Sequence, residues 1–318
     1  MATNVQGYNA TSGVNALTAE QAEFYQRAML ERLTPELFFM KYGQKKAIPK
    51  NAGATTSFRR LNSLAVNTNA LTEGVTPDGV DLNITKVTAT VSQYGNYTKI
   101  SDFIDMTGLD PIITEASQLM GENAGESMDT IVRDIIAAGT NVIYANGKTA
   151  RNLLAAADKI AVADILKIRR TLKRSKVKAI PLPNGKKGYL AFAHTDVITD
   201  LMQTQEWKDQ NTYVDISNRV EGTSGQLYGI YFLEADNAVK FAGAGASGAD
   251  VYGTIIIGDG AYGVPDIAGS SKPEIIVVPA EIAGGPLKQW STVGWKATFT
   301  TIRLNELCIV RYESGATA

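Results

Sequence analysis

The stretch DPIITEASQLMGENAGESMDTIVRDIIAAGTNVIY, residues 110–144, decides how this chain is read. Ile113, Ala116, Met120, Ala124, Met128, Ile131, Ile135, Ala138 and Val142 recur at steps of three and four, which sets them along one side of an α-helix. Asp110 suits the N-cap and Pro111 the first helical position. The pattern predicts a helix from Asp110 to about Tyr144, a rod about 50 Å long at its rise per residue. Gly121, Gly125 and Gly139 fall inside it, each costing about 1 kcal/mol against alanine. That cost assigns them to close packing with a neighbour. The expectation is a rigid strut lying over a sheet, with the flanking segments attached as arms.

Upstream, residues 1–16 are rich in Asn, Thr, Gly and Ala, a composition for an extended arm that needs a partner surface. Thr18 and Gln21 make a capping box for a helix with Phe24, Ala28, Leu30 and Leu33 on its apolar side. Pro35 interrupts it, and Gly43 and Pro49 close the segment. Residues 54–101 read as β-structure. Phe58 and Leu61 mark one strand, and Val87, Ala89 and Val91 alternate with Thr88, Thr90 and Ser92 in another. Tyr94 breaks that parity before Gly95, which predicts a bulge. Asn67 to Asn83, a polar stretch with Gly74, Pro77 and Gly79, reads as the tip of a long projecting hairpin. A hairpin cannot bury a face by itself, so it calls for a neighbouring chain.

Downstream, Ala163–Lys176 predicts a helix with Ile165, Ile168 and Leu172 inward and Lys167, Arg169, Arg170, Lys173, Arg174 and Lys176 around the rest. Tyr189–Ala193 reads as a buried strand, and Thr195 as the cap of a helix through Met202. Gln226–Leu233, Ala238–Ala242 and Thr254–Ile257 read as strands. The β, α, β order suggests an inserted α/β unit. Val293, Trp295, Ala297 and Phe299 alternate in a late strand, Arg303 to Glu306 is a turn, and Leu307–Tyr312 is the last strand. Residues 101–155 and 281–318 then form one discontinuous unit.

Composition excludes several function classes. Among 318 residues, 31 Lys and Arg balance 32 Asp and Glu, against the basic excess of a dedicated nucleic-acid binder. One cysteine, Cys308, and one histidine, His194, exclude an internal disulfide and a multi-histidine metal site. Nothing approaches the apolar run of a membrane span, and the first residues do not read as a signal peptide. Gly243-Ala-Gly245-Ala-Ser-Gly248 matches the dinucleotide glycine pattern, but a strand rather than a helix is predicted after it. His194, near Asp196 and Asp200, has no activated nucleophile beside it. Asp129 and Arg133 suit a helix salt bridge, and Trp290 and Trp295 read as core or interface filling rather than base-stacking platforms. No catalytic, cofactor or metal site is assigned. An arm, a hairpin and a strut describe a building block.

The series FYQRAMLERL (24–33), GQKKAIP (43–49), FRRL (58–61), LTEGVTP (71–77), QYG (93–95), DTIVRD (129–134) and AAGTNV (137–142) resembles major capsid proteins of tailed bacteriophages with the Hong Kong ninety-seven fold, in particular the N-four-like podovirus capsid protein family. The resemblance implies an α+β fold in four parts. These are an N-terminal arm and helix (1–49), an extended β-hairpin loop (50–100), a peripheral domain with the long spine helix (101–155 plus 281–318) and an inserted axial domain (156–280). It implies a structural, non-enzymatic role: hexamers and pentamers of an icosahedral shell around double-stranded DNA held without sequence-specific contacts, assembled in the host cytoplasm. Portal, scaffolding or decoration proteins would be its partners, with no cofactor and no membrane. Arg59, Arg60 and Glu73 are the expected charged intersubunit contacts. The alternatives are an encapsulin-like compartment, a soluble α/β enzyme built around His194, and a nucleic-acid module on the 163–176 helix.

Overall fold

The computed structural model describes residues 25–27, 29, 38–49, 51, 53–61, 79–107, 112–182, 185–212, 222–267, 272–283 and 285–317, with scattered positions between 64 and 76. The Thr18 capping box and the Asp110–Pro111 helix start lie outside them. After a 3-10 turn at Phe39–Tyr42 come β1 (Gln44–Ile48), β2 (Thr55–Leu61), β3 (Ile84–Thr90) and β4 (Ser92–Ser101). Helices α1 (Asp102–Thr107) and α2 (Ile112–Ala137) follow, then β5 (Val142–Tyr144) and α3 (Val162–Arg174). Next are β6 (Ile180–Pro181), β7 (Lys187–Ala193), α4 (Thr195–Met202) and α5 (Gln205–Thr212). The middle closes with β8 (Gly225–Leu227), β9 (Ile230–Glu234), β10 (Val239–Phe241) and β11 (Val251–Ile257). The last elements are β12 (Tyr262–Ile267), β13 (Glu274–Val278), α6 (Ala280–Ala283), β14 (Trp290–Phe299), β15 (Ile302–Arg303) and β16 (Ile309–Ser314).

The strut is real but shorter than its pattern. α2 has 26 residues, about 39 Å of helix. It stops at Ala137 because the β-branched run Val142–Ile143 is taken by a sheet: β5 pairs in parallel with β16, Val142 opposite Arg311. The Arg311 guanidinium donates to the free carbonyls of Ala137 and, at 3.2 Å, Gly139, so the final strand caps the helix end. Gly139 therefore lies just past the helix, not within it. The buried stripe is also rotated from the predicted one. Its centre is Ser117, Gly121, Ala124, Met128, Asp129, Val132 and Ile136, while Ile131 and Ile135 sit at its margin. A small residue at 121 lets the N-terminal helical segment approach until the Met29 carbonyl lies where a Cβ would be.

α2 lies on a six-stranded sheet with path β1-β12-β14-β13, to which β15 and β4 are attached. Val293, Trp295, Ala297 and Phe299 all point into the core, as their alternation predicts, each large side chain contributing about 1.5–3 kcal/mol by burial. The bulge expected at Tyr94–Gly95 is absent. β4 pairs with β14 one-to-one from Ser92↔Phe299 to Ser101↔Trp290, and Gly95 instead admits the Trp295 carbonyl at 2.6 Å from its missing Cβ. The parity change has another cause: at Val91 the chain leaves the β2–β3 hairpin and enters the six-stranded sheet.

An eight-stranded sheet, path β5-β16-β11-β7-β9-β8 with β10 and β6 attached, holds the rest. Ile165, Ile168 and Leu172 of α3 are buried, as expected. The span 226–233 is a tight hairpin, turning at Tyr228 and Gly229 with positive φ at both, rather than one strand. The last strand begins at Ile309, since Leu307 and Cys308 belong to a 3-10 turn. Phe38 and Phe39 stack on Phe192 of β7 at 5.4 and 4.9 Å, which ties the N-terminal segment to the eight-stranded sheet.

Candidate assembly surfaces

The hairpin strands bury only Phe58 and Ala89. β2 and β3 pair in antiparallel register from Thr55↔Thr90 to Leu61↔Ile84 and join no other strand. Its base is anchored. Phe58 is buried over Gly263, whose missing Cβ would stand 2.7 Å from the ring. Lys46 sits 5.2 Å above the same ring and donates to the Ser57 carbonyl at 2.6 Å. Beyond Phe58 the anchoring ends. Leu61, Leu64, Val66, Val80, Leu82 and Ile84 are all exposed, Val66 to 81%. Apolar residues clustered on one projecting hairpin are what an interface leaves bare in a single chain. A second exposed apolar group, Ile104 and Met106 on α1 with Leu287, lies at the end of the six-stranded sheet where Asp102 N meets the Gln289 carbonyl.

Arg59 and Arg60 are both exposed on β2, and both line a cavity of about 550 Å³ beneath the hairpin base. Glu73 is exposed in the turn of the hairpin tip and does not line it. The cavity was not visible in the sequence, because its wall comes from five separated parts: β1, the β2–β3 base, Ser175–Lys178 after α3, the loop at Asp259 and the loop around Asn305. The basic side of α3 is exposed, but the helix ends at Arg174, so Lys176 lies past it in a turn with positive φ rather than on the helix as predicted. Lys167 is tied to Asp164 at 2.7 Å, and Lys173 and Arg174 occupy the last turn, where the helix dipole favours cations.

Two buried charge sites were also missed. Asp129 does not bridge to Arg133, which pairs with Asp134 at 2.8 Å instead. Its carboxylate is buried and accepts from Phe39 N at 2.6 Å, at the start of the 3-10 turn that joins α2 to the N-terminal segment. Burial pushes its pKa up to about 6 against the lowering pull of the Phe39, Phe38 and Met40 amides. Glu313, fully buried, is held by Arg151 at 2.7 Å and by Arg311 at 2.7 Å, and the Arg151 guanidinium stacks 3.4 Å from the Phe241 ring. The signal that could have found Glu313 was a charge pair, Arg311 and Glu313, set in an apolar strand.

The enzyme candidates become structural groups. His194, not Thr195, is the N-cap of α4: its Nδ1 accepts from Asp196 N at 3.2 Å, and its ring packs 5.0 Å from Tyr252. The glycine loop runs into a 3-10 turn, Ala246–Gly248, and then β11. Its amides are already used, Gly243 N on Asp250 and Gly245 N on the Ala249 carbonyl. Trp295 is buried and donates to Asn123 at 2.9 Å, while Trp290 is half-buried with Lys99 above its ring. Among the described residues, no group of His, Cys, Asp and Glu could hold a metal ion, and no helix is long and apolar enough to cross a membrane.

A family model described as phage capsid protein matches residues 84–311. The fold is similar to the capsid of Ralstonia phage GP4, with a TM-score of 0.69 at 13% identity over 88% of this chain and 91% of that one. It is similar to the Cyanophage Pam1 capsid asymmetric unit, 0.66 at 15% identity over 99% and 98%. It is also similar to the head structure of Helicobacter pylori bacteriophage KHP40, 0.60 at 12% identity over 86% and 87%. No curated protein sequence matches the chain. The chain belongs to the phage capsid protein family and is a major capsid protein, the structural unit of the phage head, with the α+β fold its sequence resemblance implied.

Proposed function

We propose that copies of this chain form hexamers and pentamers that close an icosahedral shell around double-stranded DNA, in the cytoplasm of the host. The observation that carries this is the hairpin: anchored at Phe58, with Leu61, Leu64, Val66, Val80, Leu82 and Ile84 exposed beyond it, it has apolar surface to bury and no place for it among the described residues of its own chain. In this reading residues 1–49 are an arm and 50–100 a loop, both lent to neighbours. Residues 101–155 with 281–318 are the peripheral part around α2, and 156–280 the axial part around the symmetry axes. Arg59, Arg60 and Glu73 make contacts between subunits. Many modest interfaces, closed by symmetry, add to a stable shell. A near-neutral chain encloses DNA without gripping it, and portal, scaffolding or decoration proteins act as further partners. The role is not enzymatic. The family match supports the phage head over a host compartment.

The test is particle formation by the chain expressed alone, read by size-exclusion chromatography and negative-stain electron microscopy. Closed shells, or rings of five or six, are expected. A monodisperse monomer or dimer that persists when scaffold and portal genes are co-expressed overturns the reading.

A further inference from the structure

The cavity of about 550 Å³ beneath the hairpin base is strongly cationic in a chain that is nearly neutral. Lys46, Arg59, Arg60, Lys176 and Lys178 line it against one carboxylate, Asp259. Among the described residues, Arg59, Arg60, Lys176 and Lys178 form no ion pair, and the Lys46 ammonium meets the neutral Ser57 carbonyl and the Phe58 ring. Like charges gathered in one cavity repel each other, so the empty site costs the chain stability.

Lys176 carries a second cost. Past its last turn α3 closes in a Schellman motif: Val177 N donates to the Leu172 carbonyl at 3.1 Å and Lys176 N to that of Lys173 at 3.0 Å. Glycine is the usual residue between such bonds, because φ there is positive. Here the residue is Lys176, at φ 53°, where a side chain is strained. The helix end is closed by backbone bonds that glycine would make as well. What lysine adds is its ammonium, on the wall of the cavity.

The volume falls among small-molecule sites, about 300–1,000 Å³. A phosphodiester strand carries one charge per nucleotide, so the length of strand that enters such a cavity leaves most of these cations unmatched. A triphosphate group concentrates its charge and its acceptor oxygens within a few ångströms, and arginine forks and lysine point charges are suited to it. We infer that the cavity binds a compact polyphosphate anion, inorganic triphosphate or the triphosphate of a nucleotide, on Arg59, Arg60, Lys176 and Lys178. The apolar floor, which includes Phe58 and Val177, is where the base of a nucleotide lies. The site joins two arginines of a hairpin that belongs to neither large sheet to two lysines behind α3. A bound anion therefore restrains the hairpin on the body of its own chain. The site is complete within one chain and does not rest on the assembly reading.

The experiment is isothermal titration calorimetry of the full, unassembled chain with sodium triphosphate, ATP and adenosine, without divalent cations. One saturable site per chain is expected for triphosphate and for ATP, and none for adenosine. Equal affinities assign the site to free polyphosphate, and tighter binding of ATP assigns it to nucleotides through the floor. R60A/K178A is expected to weaken binding about tenfold or more, while K173A/R174A, which removes as much charge from the exposed side of α3, leaves it within about twofold. Circular dichroism verifies that each variant is folded. Lys176→Gly separates binding from structure: it is expected to raise Tm by about 1–2 °C by removing strain, and to weaken triphosphate about threefold or more. Hydrogen exchange of the β2–β3 amides is expected to slow about tenfold at saturating triphosphate. Absence of saturable binding by either anion overturns the site. Equal loss in R60A/K178A and K173A/R174A overturns it too, as attraction to the chain at large. Duplex DNA that displaces triphosphate at a lower phosphate concentration than triphosphate itself needs assigns the cations to DNA and likewise overturns the inference.

Discussion

Asp129 makes a pH-dependent clamp between the long helix and the N-terminal segment, and Asp129→Asn tests it. Burial raises the carboxyl from the ordinary carboxylate range to about 6, even though the amide of Phe39 favours the charged form. The folded chain therefore binds this proton more tightly than the unfolded chain. The stability that follows is fully present below about pH 4, and is lost as pH rises through about 6. The rise to about 6 corresponds to about 3 kcal/mol between the two limits. Asp200 and Asp158 have the opposite sign. Hydrogen bonds hold both below the ordinary range, those from Thr317 and Lys159 outweighing burial at Asp200, so their contribution falls away toward acid. The difference between wild type and variant isolates Asp129 from them. The assay is urea unfolding of the unassembled chain at steps from pH 4 to pH 7.5. The variant is expected to gain on the wild type by about 2–3 kcal/mol across that range, with the change centred near pH 5 and levelling off above about pH 6. A constant difference, or one that grows toward acid, would refute the burial argument. It would mean that the amides at Phe38–Met40 outweigh desolvation.

Two further outcomes follow from single contacts. Glu313→Gln leaves Arg151 and Arg311 facing a neutral group in a buried site. It is expected to lower stability by about 3–5 kcal/mol in denaturant melts, while Glu306→Gln on the half-exposed Arg303 pair changes it by about 1 kcal/mol or less. Gly121→Ala places a methyl group against the Met29 carbonyl, a backbone atom that cannot rotate away. A loss of about 1–3 kcal/mol is expected in thermal melts, against a negligible change for Gly79→Ala, which meets nothing within 4 Å.

What the sequence disclosed, and what it hid, divides along a physical line. Periodicity exposed the elements whose faces are uniform: α2, α3, the alternating β14 and the hairpin that could bury nothing. It misplaced the C-terminal limit of α2, because the apolar run from Ile135 to Ala138 continues the stripe in either state and only pairing with β16 ends the helix at Ala137. It put the stripe one position off, since small and polar residues, Ser117, Gly121 and Asp129, occupy the true centre and do not register as hydrophobic. It read Asp129 and Arg133 as a local pair, because spacing reveals helical neighbours and cannot reveal Phe39 arriving from 90 residues away. The charged residues chosen for intersubunit contact lie on the hairpin, as their sequence position required. The cavity that gives Arg59 and Arg60 a common context is assembled by tertiary structure alone.

The path of the chain makes a statement about folding that the four-part division does not. The six-stranded sheet takes β1, β4 and β12–β15, and the eight-stranded sheet takes β5–β11 and β16. The chain thus enters the second sheet after β4, returns after β11, and leaves again after β15. The last two crossings lie side by side and bond to each other, Gly258 N on the Cys308 carbonyl at 2.8 Å and Leu304 N on the Ala261 carbonyl at 2.9 Å. Neither sheet can be completed while the other is open, because each holds strands that the other's connections must deliver. A chain of this length would ordinarily be expected to unfold in parts. Here the crossings predict one transition for both sheets, with the hairpin alone free to melt early, since its strands touch neither sheet's ladder. Differential scanning calorimetry of the unassembled chain should give a single main peak with calorimetric and van't Hoff enthalpies equal. Two separated peaks, each abolishing the near-ultraviolet signal of only one sheet's aromatic residues, would show that the peripheral and axial parts fold on their own and that the crossings are mere connections.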